Sequence, residues 1–241
     1  MIDTYMSLPR EALVVFENSD FMVCAKPSGI GMHDEPGEIG FVTLVRTVLG
    51  DSALLPAHRL DKPTSGLCIF AKSSGAAAQF GQLFERKLVT KYYLAITSKK
   101  PAKKQGAIIG DMVKTRNGSW KLTAAKTNPA ITHFFSFALA SGMRLILLKP
   151  STGKTHQLRV ALKALGAAII GDERYGGEPS DRLYLHAYQL EFEFNGERHS
   201  FKCKPTSGEL FSTEAFSYAL IDIGEAPSLA WPTVKINKKP L

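Results

Sequence analysis

Two pairs of long, apolar-rich stretches, each joined by a short polar turn, set the tightest limit on the architecture. Residues 130–140 (AITHFFSFALA) and 142–150 (GMRLILLKP) read as strands turning at Ser141-Gly142. Residues 184–194 (YLHAYQLEFEF) return through Asn195-Gly196 into 197–205 (ERHSFKCKP). Asn-Gly supplies the two positive-φ positions of a two-residue hairpin turn, so its flanking runs are predicted to pair antiparallel. The same signal stands at Asn117-Gly118 inside TRNGSWKL, and short β-like runs at 12–16 and 20–26 flank an Asn-Ser-Asp turn.

Helical patterning is sparse. It predicts a short helix over 41–49 closed at Gly50, and a second from a Ser73 or Ser74 cap through Lys87 with Phe80, Leu83 and Phe84 on one face. A third opens near Thr155 and closes at Gly166. Many hairpins and few helices predict an α+β fold on a large mixed, mostly antiparallel sheet. Without an internal repeat or linker, residues 1–241 are expected to form one domain. Its motif-bearing part spans about 12–205, and a C-terminal extension of no assignable role runs from about 218 to 241.

The chain is 44% hydrophobic and 22% charged, ordinary values for a soluble globular protein. Cys24, Cys68 and Cys203 are widely separated in apolar or alternating contexts, which suits reduced core thiols and a cytoplasmic setting better than a disulfide framework or a zinc site. The first residues carry an acid where a signal peptide wants basic residues, and no segment reaches membrane-spanning length. The formal charge is +8, and between Lys99 and Lys126 eight basic residues face a single acid, Asp111. Such a run suits a solvated hairpin and a surface for a polyanion equally well.

Some motifs can be set aside. Gly153-Lys154-Thr155 ends like a phosphate-binding loop, but Leu148 stands where that signature needs its first glycine, so a nucleotide cofactor is not expected. Gly29-Ile30-Gly31 is too short for a dinucleotide fingerprint. The six histidines show no ligand spacing, so no metal is expected.

HRLDKPTSGL, residues 58–67, is different. Pro63 restricts Lys62 to extended geometry and so places Asp61 on a rigid loop at a strand edge. His58, Arg59 and Lys62 would favour its charged form if they lie close. An anchored carboxylate beside a cleft can attack a sugar C1′ carbon or stabilise positive charge there. Taken alone, Asp61 is better read as capping the Thr64-Ser65 turn and pairing with Arg59. Three further stretches shift the balance. KLVTKYYLAI sets Lys91 and Tyr93 on one strand face and Tyr92 on the other. TGKTHQLRVAL sets His156 and Arg159 at i, i+3 on a helix, and RLYLHAYQLEF places His186 in a strand.

In order along the chain, VCAKPSGI, HRLDKPTSGLCIFAK, KYYLAI, NPAITHF, STGKTHQLRVALKALGAAIIGDERYGG and LYLHAYQLEF resemble the motifs of the RluA-type RNA pseudouridine synthases, over roughly residues 12–205. The resemblance implies a catalytic domain on a bent, mixed sheet flanked by helices, with a central cleft and no organic or metal cofactor. Its partner is structured RNA, ribosomal or transfer, in which uridine becomes pseudouridine. Asp61 resembles the family's essential aspartate, for which attack on C1′, addition to uracil and removal of the C2′ proton are all open steps. Tyr93 resembles the aromatic residue that stacks on the flipped uracil and is a candidate for removing the C5 proton.

By the same resemblance Arg159 pairs with the carboxylate, Arg59 fills the space left by the extruded base, and Leu185 touches the target base. His58 and Lys91 join the substrate-binding set. Lys103, Lys104, Lys114 and Arg116, with the C-terminal VKINKKPL as a further candidate, are expected to hold RNA, because no separate N-terminal RNA-binding domain is expected. A monomer is the expected state. Ala161 and Ala167-Ala168 depart from a histidine and a His-Pro common in relatives, at positions without a catalytic role. Two other classes compete: an RNA-binding or chaperone protein on the same fold, and a glycosidase, which would need a second carboxylate such as Asp172 or Glu173.

Overall fold

The computed structural model of the chain describes residues 8–140 and 142–234. A short helix α1 (Arg10–Leu13) leads into β1 (Val14–Glu17) and β2 (Phe21–Lys26). Asn18 turns this first hairpin by accepting the Asp20 and Phe21 amides at 3.0 and 2.8 Å. Then come α2 (Phe41–Leu49), β3 (Leu55–Pro56), β4 (Ser65–Ala71), α3 (Ser74–Glu85) and β5 (Thr90–Thr97). They are followed by β6 (Gln105–Gly110), the small hairpin β7 (Met112–Lys114) and β8 (Trp120–Leu122), then β9 (Ala130–Ala140) and β10 (Met143–Pro150). The chain closes with α4 (Gln157–Ala164), β11 (Leu185–Phe194), β12 (Glu197–Lys202) and α5 (Glu214–Ile223).

Ten strands form one mixed sheet in the order β1-β2-β4-β11-β5-β10-β9-β6, with β12 on β11 and β3 on β4. Every pairing is antiparallel except β4 with β11, where Ser65 meets His186 and Gly66 meets Ala187. That short parallel seam is tightly built. Gly66 has φ +113°, and a Cβ there would stand 2.3 Å from the Ala187 carbonyl oxygen, so only glycine lets the two backbones meet. One face of the sheet is an aromatic core in which Phe80 of α3 packs on Phe21, Phe192 and Phe194. On the other face Tyr92 and Phe135 meet Trp231, beyond α5.

The caps follow ordinary helix chemistry. Gly50 closes α2 in the left-handed region, and Ser73 caps α3 by accepting the Ala76 amide. Asn195 and Gly196 form the two-residue turn of β11–β12, with φ +53° and +81° and Phe194 opposite Glu197. At Asn117-Gly118 the expectation of a two-residue turn fails. Lys114 pairs with Trp120, leaving a five-residue connection in which Thr115 bonds to Ser119 across a 3-10 turn, with Asn117 taking the positive φ. The extension is structured as far as it is described, since α5 and Trp231 cover the sheet. Ser141 and most of the basic C-terminal segment, Lys235 to Leu241, lie outside the described residues. No described helix is long and apolar enough to cross a membrane.

Candidate active site

Lys26 shows how the sequence builds the loop that carries Asp61. Its side chain is buried, and its ammonium donates to the carbonyls of Pro27 (2.9 Å), Ile30 (2.7 Å) and Lys62 (3.1 Å). Gly29 donates its amide to Lys62 and Ser28 its hydroxyl to Pro63, so two segments 35 residues apart are stapled together. Burial pulls Lys26 down to about 8, and Arg182 adds to the pull while Cys68 and Asp61 oppose it. The Thr64 amide closes the turn on the Asp61 carbonyl. Asp61 is thereby held at the end of β4, facing a cleft of about 740 Å³, a size that encloses a small organic group.

Leu60, Tyr93, Lys91 and Leu185 line this cleft together with Arg59, Phe84, Lys87, His156 and Arg159. It runs from the end of α3, across β5, to the start of α4. Tyr93 is buried, and desolvation, with Cys68 and Asp61 adding to it, pushes its phenol well above the ordinary range. Lys91 lies over the Phe84 ring at 5.5 Å and is lowered by burial. Arg159, only 6% exposed, aims Nη1 at an Asp61 carboxylate oxygen 3.8 Å away. Its Nε and Nη2 fork onto Asp172 at 2.9 and 2.7 Å. Burial opposes the guanidinium charge, but the Asp172 bonds and the charges of Asp172 and Asp61 outweigh it and raise its pKa. Asp172 reaches this position because Gly171, at φ +79°, lies so close to the Arg182 carbonyl that a Cβ would stand 1.8 Å from its oxygen.

The start of α4 is set by a buried amide. Gln157 Oε1 accepts the Thr152 hydroxyl and the Lys154 amide, while its Nε2 donates to Ile131 and Thr132. The Gly153-Lys154-Thr155 loop thus spends an amide on Gln157, and the Lys154 side chain donates to Asn128. His156 precedes the helix in the left-handed region, φ +56°, and its Nδ1 lies 2.8 Å from the Tyr175 hydroxyl.

One expectation changes. His58 and Lys62 do not hold the charge of Asp61. His58 Nε2 accepts the Ile69 amide at 3.1 Å and its ring packs on Phe84, while burial and then Lys91 lower it to about 3, so it is neutral. Lys62 points away to Glu35 and Glu38, the nearer acids. Arg59 is exposed in the cleft and forms no ion pair with Asp61 among the described residues, whose partner is Arg159. Lys103, Lys104, Lys114 and Arg116 are all exposed, and none lines the cleft. Lys103 and Lys104 precede edge strand β6, and Lys114 and Arg116 belong to the β7–β8 hairpin. Neither Asp172 nor Glu173 is placed as a glycosidase's second carboxylate. The Asp172 side chain is fully buried with both oxygens on Arg159, and Glu173 is exposed outside the cleft.

Sequence reasoning misses Gln157 and Tyr175 as parts of the site and reaches Asp172 only as a glycosidase's second carboxylate, because their partners are distant in sequence and no local periodicity marks them. Among the described residues no group of His, Cys, Asp or Glu is arranged to hold a metal ion.

Behind the cleft, His186 Nε2 must donate to the Cys203 carbonyl at 2.8 Å, so Nδ1 accepts from Ser65 Oγ, itself receiving an Arg182 N–H at 2.6 Å. Burial, aided by Arg182, lowers His186 to about 4. Both His58 and His186 therefore fold neutral and bind a proton more readily when unfolded. Their contribution is complete above about pH 6.5 and is lost as pH falls toward 4. Urea midpoints are expected to drop between pH 6.5 and 5, at up to about 1.4 kcal/mol per pH unit for each histidine. A flat profile over that interval would contradict the neutral assignment.

The family profile described as RNA pseudouridylate synthase matches residues 20–164. An uncharacterized RNA pseudouridine synthase of Haemophilus influenzae is 48% identical over 203 residues, covering 83% of this chain and 91% of the relative. The ribosomal large subunit pseudouridine synthase C of Rickettsia bellii is 38% identical over 141 residues, 55% of this chain and 47% of that one. Among solved structures, human RNA pseudouridylate synthase domain containing 4 superimposes with TM-score 0.70 at 25% identity, covering 86% of this chain and 94% of the other. Human RNA pseudouridylate synthase domain containing 1 gives 0.69 at 26%, covering 80% and 82%. The resemblance of the HRLDKPTSGL and GKTHQLR motifs, the mixed sheet and these matches converge: the chain belongs to the RNA pseudouridylate synthase family, in the RluA/RsuA-type superfamily.

Proposed function

We propose that this chain isomerises a specific uridine in structured ribosomal or transfer RNA, acting as a cytoplasmic monomer with Asp61 as the reacting carboxylate. The observation that carries the reading is the placement of Asp61, Tyr93 and Arg159 around one cleft. The reaction breaks N1–C1′, turns the uracil while it stays bound, joins C5 to C1′ and moves the C5 proton, with no net change in composition. Asp61 sits where it can meet the sugar or the ring. The raised phenol of Tyr93 makes it a neutral aromatic wall at neutral pH, which favours stacking over proton removal by a phenolate. Leu185 and Leu60 supply the apolar remainder.

A base in a duplex must be extruded to reach this depth, at about a few kcal/mol. Arg59, exposed at the cleft, would occupy the vacated stack. Lys91 and Lys87 line the α3 end of the cleft, while the basic β7–β8 hairpin with Lys114 and Arg116 stands by its α4 end. Lys103 and Lys104 would serve only an RNA long enough to reach edge strand β6.

Mapping pseudouridines across total RNA by carbodiimide-dependent reverse-transcription stops tests the proposal. One or a few sites are expected to vanish in cells lacking the protein and to return with the intact gene, and they identify the RNA class. An unchanged map would favour an RNA-binding role on the same fold.

A further inference from the structure

The basic hairpin is tied to the active site through one phenol. Tyr175 is buried, and its hydroxyl accepts the Trp120 amide of β8 at 3.1 Å while meeting His156 Nδ1 at 2.8 Å. Its ring lies beneath the Arg159 guanidinium, 5.0 Å from centroid to Cζ. The neighbouring Arg174 holds the hairpin tip, donating to the Asn117 carbonyl at 2.6 Å. On the far side of Tyr175, His156 lines the cleft and Arg159 faces Asp61.

We propose that Tyr175 is a positioning residue that couples seating of the β7–β8 hairpin on RNA to the setting of His156 and Arg159 around Asp61. The inference rests on the RNA-isomerase reading and adds a regulation of the same site. Two features favour a link over simple packing. The hydroxyl joins a backbone donor on one element to a side chain on another, so lifting the hairpin leaves the Trp120 amide without its partner and the phenol held by His156 alone. His156 is held at a positive φ that is costly for histidine, and a residue in such a conformation depends on its surroundings to keep it there. RNA pressing on Lys114, Arg116 and Lys121 therefore bears on the start of α4.

Tyr175→Phe removes the hydroxyl and keeps the ring under Arg159. In single-turnover assays on the RNA found by mapping, the rate constant is expected to fall about tenfold while the RNA dissociation constant stays within about twofold, the signature of a lost hydrogen bond that acts after binding. Hydrogen exchange supplies a readout independent of chemistry. In the parent protein, RNA should slow exchange in 112–122 and 153–159 together, whereas in Tyr175→Phe the hairpin should keep its protection and 153–159 should lose it. His156→Gly, which tolerates positive φ and has no side chain to meet the Tyr175 hydroxyl, breaks the link from the other side and should uncouple the two segments in the same way. An unchanged rate constant, or joint protection persisting in both variants, would overturn the proposal. If the parent protein modifies no RNA, the isomerase reading fails, and the exchange experiment with bulk ribosomal and transfer RNA still decides the coupling.

Discussion

Replacing Asp61 with asparagine is expected to lower pseudouridine formation by about 10⁴-fold or more, the scale seen when a reacting group is removed. Asparagine fills the same volume but cannot act as a nucleophile or a base, so every step open to the carboxylate is lost together. The fold should hardly register the change. Asp61 is partly exposed, and its ion pair with Arg159 spans 3.8 Å, whereas Arg159 keeps both of its shorter bonds to Asp172. The melting temperature should therefore stay close to that of the parent. RNA affinity should hold or rise slightly, because a negative charge is removed from a site that phosphates approach. Tritium release from RNA carrying 5-tritiated uridine measures the activity, thermal denaturation the melting temperature and filter binding the RNA affinity. Activity retained above about one per cent would remove Asp61 from the chemistry.

How much of this was legible beforehand depends on the distance over which each signal acts. The β11–β12 hairpin was readable because Asn195-Gly196 meets its turn requirement within two residues. The first hairpin and the caps of α2 and α3 were readable for the same reason. Lys91 and Tyr93 could be placed on one face because strand alternation is local, and both line the cleft. The errors share the opposite cause. His58 and Lys62 are next to Asp61 in sequence, yet the backbone turns His58 toward the Ile69 amide and Lys62 toward Glu38. The partner that Arg159 grips lies 13 residues on, in a loop whose position depends on Gly171 meeting Arg182. The extension from about 218 offered no motif, and its use as a cover appears only when Trp231 meets Tyr92 and Phe135.

Arg159→Met should be the most damaging single change to the fold as well as to activity. It strips Asp172, whose side chain has no exposure, of both its charge-assisted bonds, and it takes a cation from above the Tyr175 ring. Removing one partner of a buried pair leaves an uncompensated charge and costs about 3–5 kcal/mol, a large share of the 5–15 kcal/mol typical of a domain. Urea unfolding should show that loss directly, and a cost below about 1 kcal/mol would mean that Asp172 does not depend on Arg159. Arg159→Lys should fall between, because an ammonium retains the charge but cannot fork onto two oxygens while facing a third. Arg159→Met combined with Asp172→Asn removes the orphaned charge, so it should recover much of the stability. It should recover none of the activity, since the guanidinium paired with Asp61 is still missing. That double variant separates the two duties of Arg159, holding the loop after α4 through Asp172 and presenting a cation to Asp61 across the cleft.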